Sequence, residues 1–495
     1  MNTKVAIKLN FDKYKDKVRA CWIGKNIGGT MGGPFEGTHE ILDIKGYTTE
    51  ANVVLPNDDL DLQLVWLHAV ERIGARAVNA ATLGEFWLSY LPPHWNEYGI
   101  GKMNMKRGLI PPLAGDYNND WKDSNGAWIR TEVWACMAPA SPAIAAKYSI
   151  EDAKVDHGAG EGTYAAAFVA AMQSAAFVYD DLRKCIDIGL DFIPDECRIA
   201  DSVRFAIDCY EKKIPPMDAR NRILERNMDI GNGWFEAPSN VSYAIIGLLY
   251  GEGDFKKSMI TAINCGDDTD CTAATVGATL GILYGMAGIP ADWSAHIGDD
   301  IVTISIDRGG MGRQLPTTCS ELTDRVVTQA PHMLFENDAR VEFTNGEDVL
   351  PEDLDKAVFG NGDYEKQKQA LANLKPYTMT FDFTFAKVHL TLADAPDIAP
   401  HGECKVHLVF ENNTQAYDNA YHNLTMRWLL PEGFEVTSGK QTGMMYRRGR
   451  HQKGVSEADF TIQAGDKVAP SNRLVLEIVG EGRITPMYIP VTLLG

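Results

Sequence analysis

Gly266-Asp267-Asp268-Thr269-Asp270-Cys271 runs directly into Thr272-Ala273-Ala274-Thr275-Val276-Gly277-Ala278-Thr279-Leu280, and the reading of this stretch decides the fold. Three acids crowd the start of a segment, 271–286, whose Ala, Gly and Leu residues fall on nearly every face. A helix that is apolar all round belongs in the middle of a helical protein. Far earlier, Pro56-Asn57-Asp58-Asp59-Leu60-Asp61 has the same build, adjacent acids at the start of a helical pattern over 59–73. Asp at an N-cap or in a first turn satisfies free N–H groups and suits the helix dipole. That accounts for one acid per helix more easily than three, because neighbouring carboxylates repel unless a cation intervenes. Asp and Thr oxygens are hard donors suited to Mg2+, Mn2+ or Ca2+ rather than zinc. Asp58, Asp59, Asp268 and Asp270 together would balance two divalent cations, and paired metals are a recurring hydrolytic device. Spacing alone leaves capping and metal binding both open.

Working outward, apolar residues at three- and four-residue spacing continue through 162–178 and 240–250, so the first 330 or so residues read as helical. Gly/Asn/Asp/Pro clusters at 24–37, 56–59, 124–126, 157–162 and 265–270 read as loops. Between 345 and 376 the character changes. After a charged, helix-compatible piece at 365–374, period-two alternation appears at 378–385, 404–410, 423–430, 459–463, 474–479 and 488–493, with turn residues between. The expected architecture is multidomain: an all-helical domain over 1–335, a linker over 336–375, and an antiparallel β-sandwich over 376–495 with Trp428 in its core. The basic run Tyr446-Arg447-Arg448-Gly449-Arg450-His451-Gln452-Lys453 reads as a solvated hairpin tip.

A chain of 495 residues is too long for one core. Its net charge of -20 argues against nucleic acid or an anionic membrane as partner. No apolar run approaches the roughly 20 residues of a membrane helix. The charged N-terminus lacks an apolar signal segment, so a cytoplasmic location is expected. Nine cysteines without CxxC pairs read as reduced, buried thiols.

Gly28-Gly29-Thr30-Met31-Gly32-Gly33-Pro34-Phe35-Glu36-Gly37 lacks the GKS/T of a phosphate loop, so its glycines read as permitting close helix packing and a tight turn. Glu36 is a single acid in an apolar setting, which suits either a surface position or a general acid/base with a raised pKa.

Together these stretches resemble the ADP-ribosylglycohydrolase family. Residues 28–37 look like its G-D-A-L-G-x-P-x-E-G motif, and Asn57-Asp58-Asp59 like its T/S-D-D-T motif. Asn125-Gly126-Ala127-Trp128-Ile129-Arg130 and His157-Gly158-Ala159-Gly160-Glu161-Gly162 look like the middle motifs, and residues 266–277 like G-G-D-T-D-T/C-x-x-A-x-x-G. The resemblance spans roughly 14–330. It implies an all-α orthogonal helical bundle over 1–335 with two Mg2+ or Mn2+ ions in a central cleft, held by Asp58, Asp59, Asp268 and Asp270, with Asn57 as a further oxygen ligand. It implies Glu36 and Asp59 as catalytic acids. Asn125, Gly126, His157, Gly158, Gly160, Glu161 and Gly162 would line the substrate cleft. His157 also reads as a loop residue bonded to backbone, and Arg130 as a structural ion-pair partner.

The sequence departs from the family pattern at Gly29 for Asp, Asn57 for Thr or Ser, Leu60 for Thr, Asp267 for Gly, and Cys271 for a Thr in many members. Cys271 is a poor Mg2+ ligand, and Asp61 and Asp267 are candidate outer acids holding metal-bound water. The expected reaction is hydrolysis of the glycosidic bond of an ADP-ribosyl or related ribosyl group, on a small-molecule or ADP-ribosylated substrate. Two alternatives stay open: hydrolysis of another glycoside or nucleoside at the same metal site, and ADP-ribose binding without turnover.

Overall fold

The computed structural model describes residues 6–306, 315–383, 385–413, 422–445, 448–449 and 452–495. Their contacts divide the chain into two units, residues 1–98 with 120–373, and residues 99–119 with 374–495.

The first unit is built around two helices, Phe11–Gly32, buried without a break from Ala20 onward, and Thr269–Tyr284. Every residue of the second from Thr269 to Leu283 is buried. Gly24, Gly28 and Gly32 recur at four-residue spacing and form one stripe of the first helix. A Cβ on Gly24 would run into the Gly277 carbonyl, and one on Gly28 into the Ala273 backbone. The helices therefore meet backbone to backbone, as the glycine density predicts, and this fixes the start of the Thr269–Tyr284 helix against the end of the Phe11–Gly32 helix. Thr269 Oγ1 donates to the Gly32 carbonyl there at 2.8 Å.

The remaining predicted helices form as Asp58–Ile73, Glu161–Ala175 and Ala237–Gly251. Among the described residues of this unit, strands Ile7–Asn10 and Val341–Thr344 pair in parallel. This pair departs from the all-α expectation. Each strand has four residues, too short to carry a clear period, yet Ile7, Leu9 and Val341 enter one buried cluster with Leu334 and Val358. The expected linker over 336–375 carries more structure than the one helix-compatible piece read at 365–374. It holds that strand and the helices Leu354–Val358 and Tyr364–Ala372, and all but its last residues belong to the first unit. Tyr364 packs edge-on against Phe192 and donates to Asp191 Oδ2 at 2.9 Å.

The second unit holds two antiparallel sheets, consistent with a sandwich. One runs in the order Thr378–Phe383, Ala386–Leu392, Glu403–Asn412, Val455–Gln463, Glu435–Gly439; the other in the order Met487–Leu494, Ser471–Gly480, His422–Leu429, Thr442–Met445. Burial alternates strictly along His422–Leu429. Trp428 is buried, as expected, with its ring edge-on to Phe460 of the other sheet. Residues 99–119 join this unit: Tyr117 hydrogen-bonds Asp397, and the Tyr377 N–H donates to Asp116 Oδ2. Of the basic run, Arg448–Gly449 and Gln452–Lys453 pair antiparallel, whereas residues 446, 447, 450 and 451 lie outside the described residues. All nine cysteines are free and buried. No described helix is long and apolar enough to cross a membrane.

Candidate active site

The two acid-bearing helix starts, far apart in sequence, meet at one cleft of about 420 Å3 in the first unit. Glu36, Asp58, Asp268, Asp270 and Cys271 line it, with Glu97, Tyr98, Asn125, Gly126, Trp95 and Phe235. Donor atoms of Asp59, Asp270 and Cys271 lie within 4.8 Å of one another, and so do those of Glu36, Asp268 and Asp270. Asp270 belongs to both trios.

What these acids lack is as informative as where they sit. Asp59 Oδ2, Asp268 Oδ1 and Asp270 Oδ1 are buried and have no hydrogen-bond partner. A buried carboxylate oxygen without a partner is costly. Such a set fits divalent cations, and the acidic clusters could hold metal. Cys271 Sγ donates to Asp59 Oδ1 at 3.1 Å, and burial, then the neighbouring carboxylates, hold its thiol well above its usual range, so it behaves as a neutral donor. Lys25, fully buried beneath, donates to the Ile129 carbonyl at 2.6 Å and pairs with Glu132 at 3.2 Å. It is the buried positive charge facing Asp59 and Asp270.

The same crowding raises the acids. Burial, then Asp270, pushes Asp58 up to about 7. Glu36 stands exposed at the mouth, and Asp270 first, then burial, pushes it up to about 8.

The other residues singled out from sequence separate into two groups. Asn125 and Gly126 line the cleft, and Asn125 Nδ2 donates to Asp268 Oδ2 at 2.6 Å while its Oδ1 accepts from Trp128 Nε1. The 157–162 loop is built for support. His157 is fully buried, its Nδ1 2.9 Å from Asp156 and its Nε2 3.4 Å from Ser124 Oγ. Gly162 packs against the His157 ring and Gly160 against the Lys122 backbone. Gly158 takes a positive φ of 50° at the turn. Glu161 accepts from Arg198 N and Ile199 N, both at 3.0 Å, and so holds the start of the Arg198–Glu211 helix. None of these five residues lines the cleft. Arg130 is a structural ion-pair partner, fully buried between Asp152 and Asp156.

Asn57 is the N-cap of the Asp58–Ile73 helix, its Oδ1 accepting from Asp59 N at 2.9 Å, which occupies the oxygen expected to face a metal. Asp61 and Asp267 are anchors. Asp61 Oδ2 accepts from Ile304 N, Ser305 N and Ser305 Oγ. Asp267 accepts from Phe235 N and Asn240 Nδ2, both at 3.1 Å, and pairs by backbone with Thr38.

The sequence reading missed Glu97, an acid outside every quoted motif. It sits in the first turn of the Asn96–Lys106 helix and only 6% of it is exposed, with Oε2 buried and unpartnered. Its one signal is an acid between two aromatics, Trp95 and Tyr98.

The first unit is thus helical, with a carboxylate-lined cleft whose acids could hold metal. Residues 10–330 match the ADP-ribosylglycohydrolase family, and the chain belongs to it; glycohydrolase activity is the chemistry that membership supports. Among solved structures, one titled "ADP-ribosylglycohydrolase-related protein complex" is similar at 18% identity and a TM-score of 0.40, covering 65% of this chain and 98% of that one. A FixG-related protein from Vibrio parahaemolyticus is similar at 10% identity and a TM-score of 0.19, covering 23% of this chain and 97% of that one. The GAE domain of GGA2p from Saccharomyces cerevisiae is similar at 12% identity and a TM-score of 0.17, covering 23% and 96%. No curated protein matches the chain.

Proposed function

We propose that the protein is a metal-dependent glycohydrolase that cleaves the bond at the anomeric carbon of an ADP-ribosyl or related ribosyl group. The observation that carries this reading is the convergence of three unpartnered, buried carboxylate oxygens, on Asp59, Asp268 and Asp270, from two separate helix starts. Asp58, Asp59, Asp268 and Asp270 would hold two divalent cations, Mg2+ or Mn2+. Cations bound there would supply positive potential for sugar hydroxyls and for water at the reacting carbon.

The chain's own residues do the rest. Asn125 fixes Asp268 by its 2.6 Å hydrogen bond. Lys25 offsets part of the buried negative charge from below. Glu36, pushed up to about 8 at the mouth, takes the proton of the attacking water on a carboxylate oxygen. As water adds to the anomeric carbon, the bond to the leaving nitrogen or oxygen breaks, and that atom takes up the proton that Glu36 received from the water. The oxocarbenium-like transition state gains from the surrounding carboxylates. Asp59, expected as a second catalytic acid, is fully buried and outside the cleft lining, so its free Oδ2 is left for a cation.

The test is release of the ribosyl product from modified arginine, modified serine and nucleosides, with and without EDTA. Activity is expected only with Mg2+ or Mn2+; turnover that persists after complete metal removal rules the reading out. A thermal shift with Mn2+ alone, lost in Asp270→Asn, gives a readout independent of turnover.

A further inference from the structure

We propose that Glu97 is a specificity-determining residue of this cleft: its free Oε2 takes a hydrogen-bond donor of the substrate, a sugar hydroxyl or an amino group, and turns phosphate away. This deepens the glycohydrolase reading and rests on it. The substrate class that follows is a neutral or cationic glycoside, such as a nucleoside, in preference to a nucleoside diphosphate sugar.

Four observations support the assignment. Glu97 lines the same cleft as Asp58, Asp268 and Asp270 but belongs to neither of their trios, so it is free for another partner. Its Oε2 is buried without a hydrogen-bond partner, and unlike the buried Asp61 it sits in the cleft lining, where a ligand could supply one. It is held by a rigid frame. Donor atoms of Glu97, Asp156 and His157 lie within 4.8 Å of one another. Asp156 is already taken by Arg130, at 3.1 Å from Nη1 and 2.7 Å from Nη2, and by His157 at 2.9 Å, which leaves this trio a support and a poor metal site. Finally, a Cβ on Gly126 would collide with Glu97 Oε1, so glycine there lets the carboxyl lie against the 124–126 loop.

A phosphate seated on that loop would meet a carboxylate edge, and like-charge juxtaposition is an effective way to reject a ligand. The described residues lining the cleft include no Lys, Arg or His, while Trp95 and Phe235 offer aromatic faces to a sugar or base.

The experiment measures binding of adenosine and of ADP-ribose to the full chain loaded with Mn2+, by calorimetry, for wild type, Glu97→Gln and Glu97→Asp. Wild type is expected to bind adenosine about tenfold more tightly than ADP-ribose, and Glu97→Gln to bring the two within about threefold. Glu97→Asp, which keeps the charge, weakens adenosine without admitting ADP-ribose. ADP-ribose binding to wild type as tightly as adenosine, a ratio unmoved by Glu97→Gln, or no binding of either ligand would overturn the assignment. Hydrolysis assays separate the two claims. A chain that discriminates in this way yet hydrolyses no glycoside loses the glycohydrolase reading and keeps Glu97. One that releases ADP-ribose from modified arginine faster than it cleaves nucleosides keeps the reading and loses Glu97.

Discussion

The Asp58–Ile73 and Thr269–Tyr284 helices begin with nearly the same string of acids and use it differently. At the first, the N-cap Asn57 does the usual work, accepting from Asp59 N. At the second, the N-cap is Asp268, and it makes no capping bond at all. One of its oxygens accepts from Asn125 and the other is buried and unpartnered. Each helix start also assigns one acid to holding the neighbouring chain, Asp61 to residues 304–305 and Asp267 to Phe235 and Asn240. What remains on both sides faces one cleft. A capping residue that declines its cap marks a carboxylate reserved for another partner, and sequence alone cannot distinguish the two cases.

The sharpest way to break this comparison is to remove the shared acid. Asp270→Asn is expected to lower turnover by at least about 100-fold and to abolish the Mn2+ thermal shift, while the metal-free protein gains stability because buried like charges are relieved. A variant that keeps full activity would show that the second helix start is no more than a cap.

The next test is pH. Asp58 and Glu36 have folded pKa values raised to about 7 and about 8. A carboxyl raised on folding binds its proton more tightly folded than unfolded. Its stabilising contribution is complete at low pH and is lost as pH rises, here between about pH 4 and pH 8. The melting temperature of EDTA-treated protein should therefore fall across that window, and the shift produced by Mn2+ should grow across it. A metal-free melting curve flat from pH 5 to pH 8 would mean the acids are not electrostatically crowded.

The helical reading, the sheet alternation and the two acid-bearing helix starts were legible because each rests on local pattern: period 3.6, period 2, and more acids than one cap needs. What was not legible depends on tertiary neighbours. The 157–162 glycines look like ligand-loop residues in sequence, but here their missing side chains make room for the His157 ring and the Lys122 backbone. Asp61 and Asp267 read as outer acids, and only folding brings backbone N–H groups to them. Glu97 carries no motif, and its importance comes from burial. The strand Ile7–Asn10 finds its partner more than 300 residues away at Val341–Thr344, beyond any local signal.

Two departures from the family pattern explain each other, and this sharpens the account of the first helix start. A Cβ on Gly29 would run into the Asn57 amide, so the small residue at 29 is what admits the larger one at 57. Gly29→Ala alone should destabilise by about 1–3 kcal/mol through overpacking. Adding Asn57→Ser, which shortens the side chain but keeps a capping oxygen, should recover part of that loss. Strict additivity of the two changes in a double-mutant cycle would refute the coupling.

The smallest effect separates the two helix starts most cleanly. Asn57→Ala removes one capping hydrogen bond, worth about 1 kcal/mol of stability. It leaves Asp58, Asp59, Asp268 and Asp270 in place, so the Mn2+ thermal shift should persist. The matching change at the other N-cap, Asp268→Ala, removes no capping bond, and burial with Asp270 already holds that carboxyl well above its usual range. Relief of that buried charge should offset the lost Asn125 hydrogen bond, so the metal-free protein changes little, while its response to Mn2+ disappears. A Mn2+ response kept after one truncation and lost after the other follows only if one N-cap serves its helix and the other serves the cleft. Equal destabilisation at both, with the Mn2+ response kept at both, would make them ordinary caps.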